Sequence, residues 1–303
     1  MNRSYVKFFH NIYNLLMPEL PEIEVVKRSL FKMINKAKII NIKINNKNLR
    51  YKIPSNFSKC LIGEKILKIS RRSKYLVFHF KEKILLMHFG MSGKLLLKKI
   101  SNNIMYKTSF YYDLNVQKKH NHIYFRLNNN FVLIYNDVRR FGFLKLFNTT
   151  KTNKIKFLRK LGCEPLSKEF DLKYFKKFTQ NKKKNIKNLL MDQTFISGLG
   201  NIYVNEVLFM SKINPLRLCD NLNKNEIRNL ILNTKKILKF SISKGGSSIR
   251  DFNNTLGKRG NFQQFFYVYG HLNKKCSRIS CTGVIKKITI SNRSSFYCNE
   301  CQI

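Results

Sequence analysis

Two groups of residues in this chain have the types and spacing for chemistry. Near the start, Met17-Pro18-Glu19-Leu20-Pro21-Glu22 sets Glu19, Glu22 and Glu24 close together in a chain where only 16 of 303 residues are Asp or Glu. If the chain is opened at Pro18, that residue presents a free secondary amine. An α-amine titrates near ~7.7–8.0, against ~10.4 for Lys, so roughly a tenth or more is neutral at pH 7. Such an amine is a usable nucleophile. Attack on a sugar C1′ would give a positively charged iminium, an electron sink that drives loss of the attached phosphates while nearby carboxylates move protons. A plain helix start, with Pro21 at N1 and Glu22 in the first turn, accounts for the same residues, and both readings stand on this stretch alone.

The second group is Cys276, Cys281, Cys298 and Cys301, two close pairs with sixteen residues between them. Four thiolates so spaced suit one tetrahedral structural zinc and leave no coordination position open, against a disulfide pair or free thiols. Cys60, Cys163 and Cys219 are isolated and read as reduced thiols of a cytosolic protein.

The elements that must position these groups follow from periodicity. Ile23, Val26, Leu30 and Met33 fall on one face of a helix over 20–34. Strands are expected at 75–80, 84–89, 123–127 and 131–135, with Asn128-Asn129-Asn130 turning the last two into a hairpin. Together they suggest a sandwich or flattened barrel. Gly162 and Pro165 mark a domain boundary. Beyond it come helices at 186–193, from Asn201 to before Pro215, and at 225–243, the last with Asn223 and Glu226 at capping-box spacing. Segments 284–290 and 295–297 suggest a hairpin with Arg293 at its turn. The expected fold is α+β: an extension 1–16, a β-sandwich domain 17–148, a linker 149–165, a helical domain 166–270 and a cysteine-bearing finger 271–303.

Three loops add candidates, each with a bland counterpart. Arg71-Arg72-Ser73-Lys74 is a basic cluster or a solvated strand end. His88-Phe89-Gly90-Met91-Ser92-Gly93 turns tightly and presents Met91 as a wedge or as core filler. Asp137-Val138-Arg139-Arg140-Phe141-Gly142 offers an aromatic and a guanidinium suited to a flipped-base gap, or an ion-paired turn. Gly198-Leu199-Gly200 before a helix start leaves amides for a phosphate, or is simply a turn.

The formal charge of +43 points to a polyanionic partner, nucleic acid before membrane. Part of that excess is compositional, since Lys, Asn and Ile are used heavily throughout. A hydrophobic share of 43% fits a folded protein. No apolar run approaches the roughly 18 residues of a membrane span, and residues 1–16 lack the cleavage site of a secretory signal. With those residues attached, the Pro18 nitrogen is a tertiary amide, so they read as an upstream start or a removable extension.

The run MPELPEIEVV, GMSG, D-x-R-R-F-G, the string from Leu190 to Glu206 and the cysteine finger occur in the order of the bacterial formamidopyrimidine-DNA glycosylases, which the chain resembles from Met17 to Gln302. That resemblance implies a helix-two-turn-helix domain, a β-hairpin zinc finger, and a bifunctional enzyme that excises oxidised purines from duplex DNA and cleaves the abasic site. It implies Pro18 as Schiff-base nucleophile, Glu19 as proton donor, Glu22 as a further site carboxylate and Lys74 at the lesion strand. Met91, Arg139 and Phe141 would fill the void, and His88, Arg140, Lys187, Asn201 and Arg293 would face DNA, Arg293 also as a possible proton donor for the second elimination. Segment 257–262 resembles the loop that closes on the flipped base. The partner would be damaged double-stranded DNA, bound by a monomer in the bacterial cytoplasm, at the nucleoid, with no membrane. Leu20 and the Met91, Arg139, Phe141 set argue against the related endonuclease VIII enzymes, and a blocked Pro18 would leave a non-catalytic DNA-binding protein. The finger departs from the family in having four residues, rather than the usual two, between its first cysteines.

Overall fold

The computed structural model describes residues 17–108, 116–246 and 265–303; the expected extension 1–16 and the segment 257–262 lie outside them. The chain opens with α1 (Leu20–Ile34), which buries Ile23, Val26 and Leu30 as their spacing predicts, whereas Met33 is only half-buried and Ile34 takes the last core position. There follow β1 (Ile39–Ile44), α2 (Phe57–Leu61), β2 (Lys68–Arg72), β3 (Tyr75–His79), β4 (Ile84–His88), β5 (Gly93–Lys99), β6 (Met105–Lys107), β7 (Asn121–Leu127), β8 (Phe131–Asp137) and β9 (Phe143–Phe147). The strands form two antiparallel sheets, β1-β7-β8-β5-β6 and β2-β3-β4-β9. Leu76, Phe78, Leu85 and Met87 of one sheet meet Leu95, Leu97, Phe125 and Leu133 of the other, with α1 against the same core. The expected β7–β8 hairpin is present, with Asn130 in the left-handed region at its turn.

The chain passes between sheets from β4 to β5 and back from β8 to β9. These two crossovers are the Gly90–Gly93 and Asp137–Gly142 loops, and they lie against each other. A Cβ on Gly90 would stand 2.5 Å from the Phe141 carbonyl carbon, and Gly90 has φ +57°. Only glycine lets the two loops approach this closely.

The outer face of the smaller sheet is covered in turn. Val77, Ile84, Leu86 and Phe143 pack against Ile155 and Leu158, around α3 (Lys156–Arg159), so the expected linker is a docked segment. Then come α4 (Leu172–Thr179), α5 (Ile186–Met191), α6 (Asn201–Met210) and α7 (Lys224–Ser243). Asp171 and Asn185 cap α4 and α5 by accepting the amides of Tyr174 and Asn188, and Asn223 and Glu226 form the expected capping box on α7. The sequence puts Tyr203, Val207, Leu208 and Met210 on the packing side of α6, and that is only part of it. Ile202 to Phe209 are buried on every side, because α6 lies between α5, α7 and the finger. That finger is β10 (Ile285–Ile290) and β11 (Arg293–Cys298), joined by Ser291 and Asn292 at φ 48° and 59°. Two consecutive left-handed residues are what a tight hairpin turn with strand-matching twist requires. Arg293 therefore opens β11, one position beyond the turn.

Arg71 and Arg72 are not a solvated strand end. Glu164, just past the linker, accepts from Arg71 Nη2 at 2.6 Å, Arg72 Nη1 at 2.9 Å and the Ser73 amide at 2.6 Å. Arg72 also donates to the Leu161 and Gly162 carbonyls and to Ser197 Oγ, while Arg71 Nε reaches Glu24. This cluster ties the sandwich to the helical half. Burial pushes the Glu164 carboxyl up, but the two guanidiniums and the Ser73 amide overcome that and bring it below its ordinary 4.5. A lowered folded pKa means that its stabilisation is present above the ordinary value and is lost as pH falls through the lowered one. Replacing Glu164 with Gln leaves Arg72 without its charge partner and Arg71 with Glu24 alone, and should cost about 2–4 kcal/mol. Chemical unfolding at pH 7 reads that loss, and the gap between variant and parent should narrow as the pH is taken below 4.5.

Candidate active site and nucleic-acid interface

Pro18 and Glu19 enter α1 directly against the start of α6. Pro18 is buried, and Met17 before it is partly exposed in the cleft. The Glu19 amide donates to Glu22 Oε2 at 2.9 Å, and Leu20 N donates to the Gly198 carbonyl at 3.1 Å. Glu19 Oε1 accepts the Ile202 amide, in the first turn of α6, at 3.0 Å. The Gly-Leu-Gly approach thus serves a carboxylate of the protein itself, not the phosphate expected there. A Cβ on Gly200 would stand 2.3 Å from Glu19 Cδ, so glycine is what makes room for this acid.

Electrostatics at this point are set by burial. Burial raises Glu19 to about 7; the Lys74 charge and the Ile202 and Gly200 amides pull it down, and Glu22 adds to the rise. Lys74, buried at the β2–β3 turn, is lowered by desolvation and further by Arg293, against the two carboxylates. Glu22 is fixed by Tyr203, whose hydroxyl donates to Oε1 at 2.6 Å and stands 2.6 Å from Ser241 Oγ. The sequence reads Tyr203 only as a packing residue of its helix and does not single out Ser241.

A cavity of about 970 Å³ opens over these groups, lined among others by Glu19, Lys74, His88, Met91, Asn201 and Arg293. His88 is brought down to about 4 by burial and by the Lys74 and Arg50 charges, so the ring is neutral at pH 7. Its Nδ1 accepts the Gly90 amide at 3.1 Å, which leaves Nε2–H as the donor, and the ring stacks on Phe143.

A second opening of about 780 Å³ runs from His88 and Met91 to Arg139, Arg140 and Phe141. Phe141 is 47% exposed, with the Arg139 guanidinium 4.5 Å from its ring centre. Asp137 does not pair with either arginine among the described residues. Its oxygens accept from Ser92 Oγ, from the Gly142 amide at 2.8 Å and from the Tyr135 hydroxyl at 3.1 Å. Ser92 Oγ in turn accepts the Arg139 amide at 2.9 Å. Among the described residues the ion-paired-turn alternative thus falls away.

Lys187, expected at the DNA, is 1% exposed, and its Nζ donates to the Ser294 carbonyl at 3.1 Å and Ser295 Oγ at 2.6 Å. Asn201 Nδ2 donates to the same carbonyl at 2.9 Å. Both residues hold the hairpin immediately beside Arg293. Burial, with Arg293 adding, lowers Lys187 to about 7. Glu206, also unread in the sequence, accepts the amides of Tyr267, Val268 and Tyr269 at 2.8, 3.1 and 2.9 Å. A lone acid in the apolar run from Ile202 to Phe209 is the signal that would have found it.

The four finger thiols all lie within 4.8 Å of one another, with Cys276 and Cys301 3.8 Å apart and Cys281 and Cys298 3.6 Å apart. Zinc–sulfur bonds of ~2.3 Å in a tetrahedron put sulfurs roughly 3.8 Å apart, so the cluster fits a metal of this kind.

Residues 17–144 match the family described as formamidopyrimidine-DNA glycosylase N-terminal domain, and residues 161–253 match its H2TH domain. A formamidopyrimidine-DNA glycosylase of Bartonella tribocorum is 41% identical over 297 residues, spanning 94% of this chain and all of that protein. One from Wolbachia pipientis is 40% identical over 287 residues, with the same coverage. Among solved structures, a Lactococcus lactis relative bound to Fapy-dG-containing DNA superposes with a TM-score of 0.81 at 36% identity, over 94% of this chain and 99% of that one. The Lactococcus enzyme with abasic-site DNA gives a TM-score of 0.80 at the same identity and coverage.

The Lys74 charge is the largest opponent of burial at Glu19. Lys74→Met should move the Glu19 midpoint above about 7, read from the side-chain carboxyl carbon in an NMR titration. An unmoved midpoint would separate the two groups electrically.

Proposed function

The chain belongs to the formamidopyrimidine-DNA glycosylase family, and from that premise we propose that it excises oxidised purines from duplex DNA and cleaves the strand at the resulting site. The observation that carries this reading is the placement of the Pro18–Glu19 pair. It stands at the mouth of a cleft between the two halves, with Glu19 held near 7 by burial while Lys74 and Arg293 supply positive charge beside it.

In the proposed reaction the Pro18 nitrogen bonds to C1′ of the flipped nucleotide and the glycosidic bond breaks, the base leaving with that electron pair and a proton. Glu19, which burial raises to about 7 so that it can carry a proton near neutral pH, donates to the ring oxygen; the sugar opens and the Pro18 nitrogen becomes an iminium. Removal of a C2′ proton expels the 3′ phosphate. Removal of a C4′ proton, through the conjugated intermediate, then expels the 5′ phosphate and leaves a one-nucleotide gap. Glu22 fixes the Glu19 amide and hence the angle at which Pro18 meets the sugar. Lys74 and Arg293 hold the flanking phosphates, with Arg293 as proton donor in the second elimination, and neutral His88 donates to the backbone. Met91, Arg139 and Phe141 fill the vacated stack, the guanidinium facing the orphaned base, with Arg140 beside them. Asn201 and Lys187 act through the finger hairpin.

Domains of 17–148, 166–270 and 271–303 about a docked linker fit this division of labour. The protein would work as a monomer in the bacterial cytoplasm, where its DNA is. Among the described residues no helix is long and apolar enough to cross a membrane.

A second reading has one observation behind it. Met17 lines both openings of the cleft, and with it attached the Pro18 nitrogen is an amide. Borohydride reduction on a duplex with 8-oxoguanine opposite cytosine separates the two. Protein beginning at Pro18 should give a covalent adduct and the full 303-residue chain none. If neither form is trapped while both bind DNA, the protein is a binder without catalysis.

We further propose one structural zinc on Cys276, Cys281, Cys298 and Cys301, which would cross-link the finger and take no part in the chemistry. Mass spectrometry of the folded protein should find one zinc per chain. Cys298→Ser should lose it, and with it most DNA affinity, because the hairpin presenting Arg293 is stapled at its open end by these thiols.

A further inference from the structure

The residues that make the first cysteine knuckle longer than the family's usual two are not idle. Arg278, in the segment between Cys276 and Cys281, turns back onto the C-terminal end of α6. Its Nη2 donates to the Phe209 carbonyl at 2.5 Å and the Met210 carbonyl at 3.3 Å. These belong to the last turn of α6, where carbonyls lack helical partners and a cation meets the negative end of the helix dipole. The guanidinium also lies over the Phe209 ring, 4.6 Å from its centre. Phe209 is itself buried in the apolar shell of the thiols, with Val268, Ile285 and Phe296.

We propose that Arg278 is a positioning residue, which locks the cysteine-bearing finger to the end of α6 and so keeps Arg293 aimed into the cleft. The inference rests on the glycosylase reading only for what Arg293 touches. The other end of the same helix already grips the finger, through Asn201 on the Ser294 carbonyl and through Asn205 Oδ1, which accepts the Phe296 amide at 2.8 Å. A ten-residue helix is roughly 15 Å long. Gln302 and Ile303 also tie the finger to the segment just after α6, through the Ile213 carbonyl and the Lys212 and Asn214 backbone, and Arg278 adds the fastening on the helix terminus itself. The neighbouring Ile279 is 97% exposed, so it adds no packing, and Arg278 is the knuckle residue that hydrogen-bonds to the end of α6.

The test is a double-mutant cycle in the full chain, read as affinity for a duplex with a tetrahydrofuran abasic analogue, on which no elimination proceeds. Arg278→Ala should weaken binding about tenfold with zinc content unchanged, and by much less when Arg293 is already Ala. Arg278→Lys, which keeps a cationic donor at the carbonyls, should recover part of the loss. If Arg278→Ala loses its zinc, Arg278→Gln replaces it in the same cycle. Unchanged affinity with zinc retained, or losses that simply add to those of Arg293→Ala, would overturn the proposal. Failure of the glycosylase reading looks different: the unmodified protein would then bind the abasic and intact duplexes equally.

Discussion

A carboxyl group held in the interior at the junction of two domains is the constraint from which the rest of this molecule follows. An acid that must still carry a proton near neutral pH has to lose water, and Glu19 does, by lying between the turn before β3 and the first turn of α6. Burial alone would push it too far and leave it uncompensated. The opposing Lys74 charge and two amides return it to about 7. The lysine comes from the sandwich and both amides from the start of α6, so the value exists only when the sandwich and the helical half are docked. That places the Arg71–Arg72–Glu164 cluster in the same account: it joins the halves immediately behind Lys74, and Gly200 supplies the space.

The scarcity of acids sharpens the picture. In a chain with formal charge +43, several of the few acids face inward. Glu24 and Glu164 hold guanidiniums, Asp137 ties two crossover loops, Glu206 gathers three amides, and Glu19 and Glu22 shape the site. Few carboxylates remain to neutralise the outer lysines and arginines, and an unneutralised basic surface binds a polyanion strongly and with strong salt dependence. The acids are thus needed for internal architecture, and the affinity for nucleic acid is what their absence elsewhere produces.

How much of this could be read from the sequence depended on whether the signal was local. The α1 stripe, the Asn-rich hairpin turn, the capping box of α7 and the paired cysteines each rest on residues a few positions apart, and each formed as expected. Glu164, by contrast, lies 92 positions from Arg72, and nothing in either neighbourhood names the other. Gly198-Leu199-Gly200 was legible as a helix start with spare amides, but the anion that takes them comes from 183 positions away and belongs to the protein. Lys187 shows the same limit. A lysine in a basic chain suggests a phosphate, whereas tertiary packing turned this one inward onto a hairpin that follows it by more than a hundred residues.

The two crossover loops show how exposure and rigidity are reconciled in such a site. A side chain that enters a DNA duplex must stand in solvent beforehand, yet an exposed loop that moves freely would pay the entropy of ordering at every encounter. Here the exposed part of the second loop is Val138, Arg139, Arg140 and Phe141, while the residue that fixes their backbone, Asp137, is wholly buried. Its two oxygens collect donors from Ser92 of one crossover and Gly142 of the other, and Ser92 passes the constraint on to the Arg139 amide. Because β4–β5 and β8–β9 are adjacent passages between the same two sheets, Met91 and Phe141 move with the sandwich core rather than with their own loops. The proposed wedge on a buried carboxylate is the same device as the proposed nucleophile at the other end of the cleft. In both, a reactive or intrusive group is presented by the one residue type that could not have been buried unless its partners were already in place.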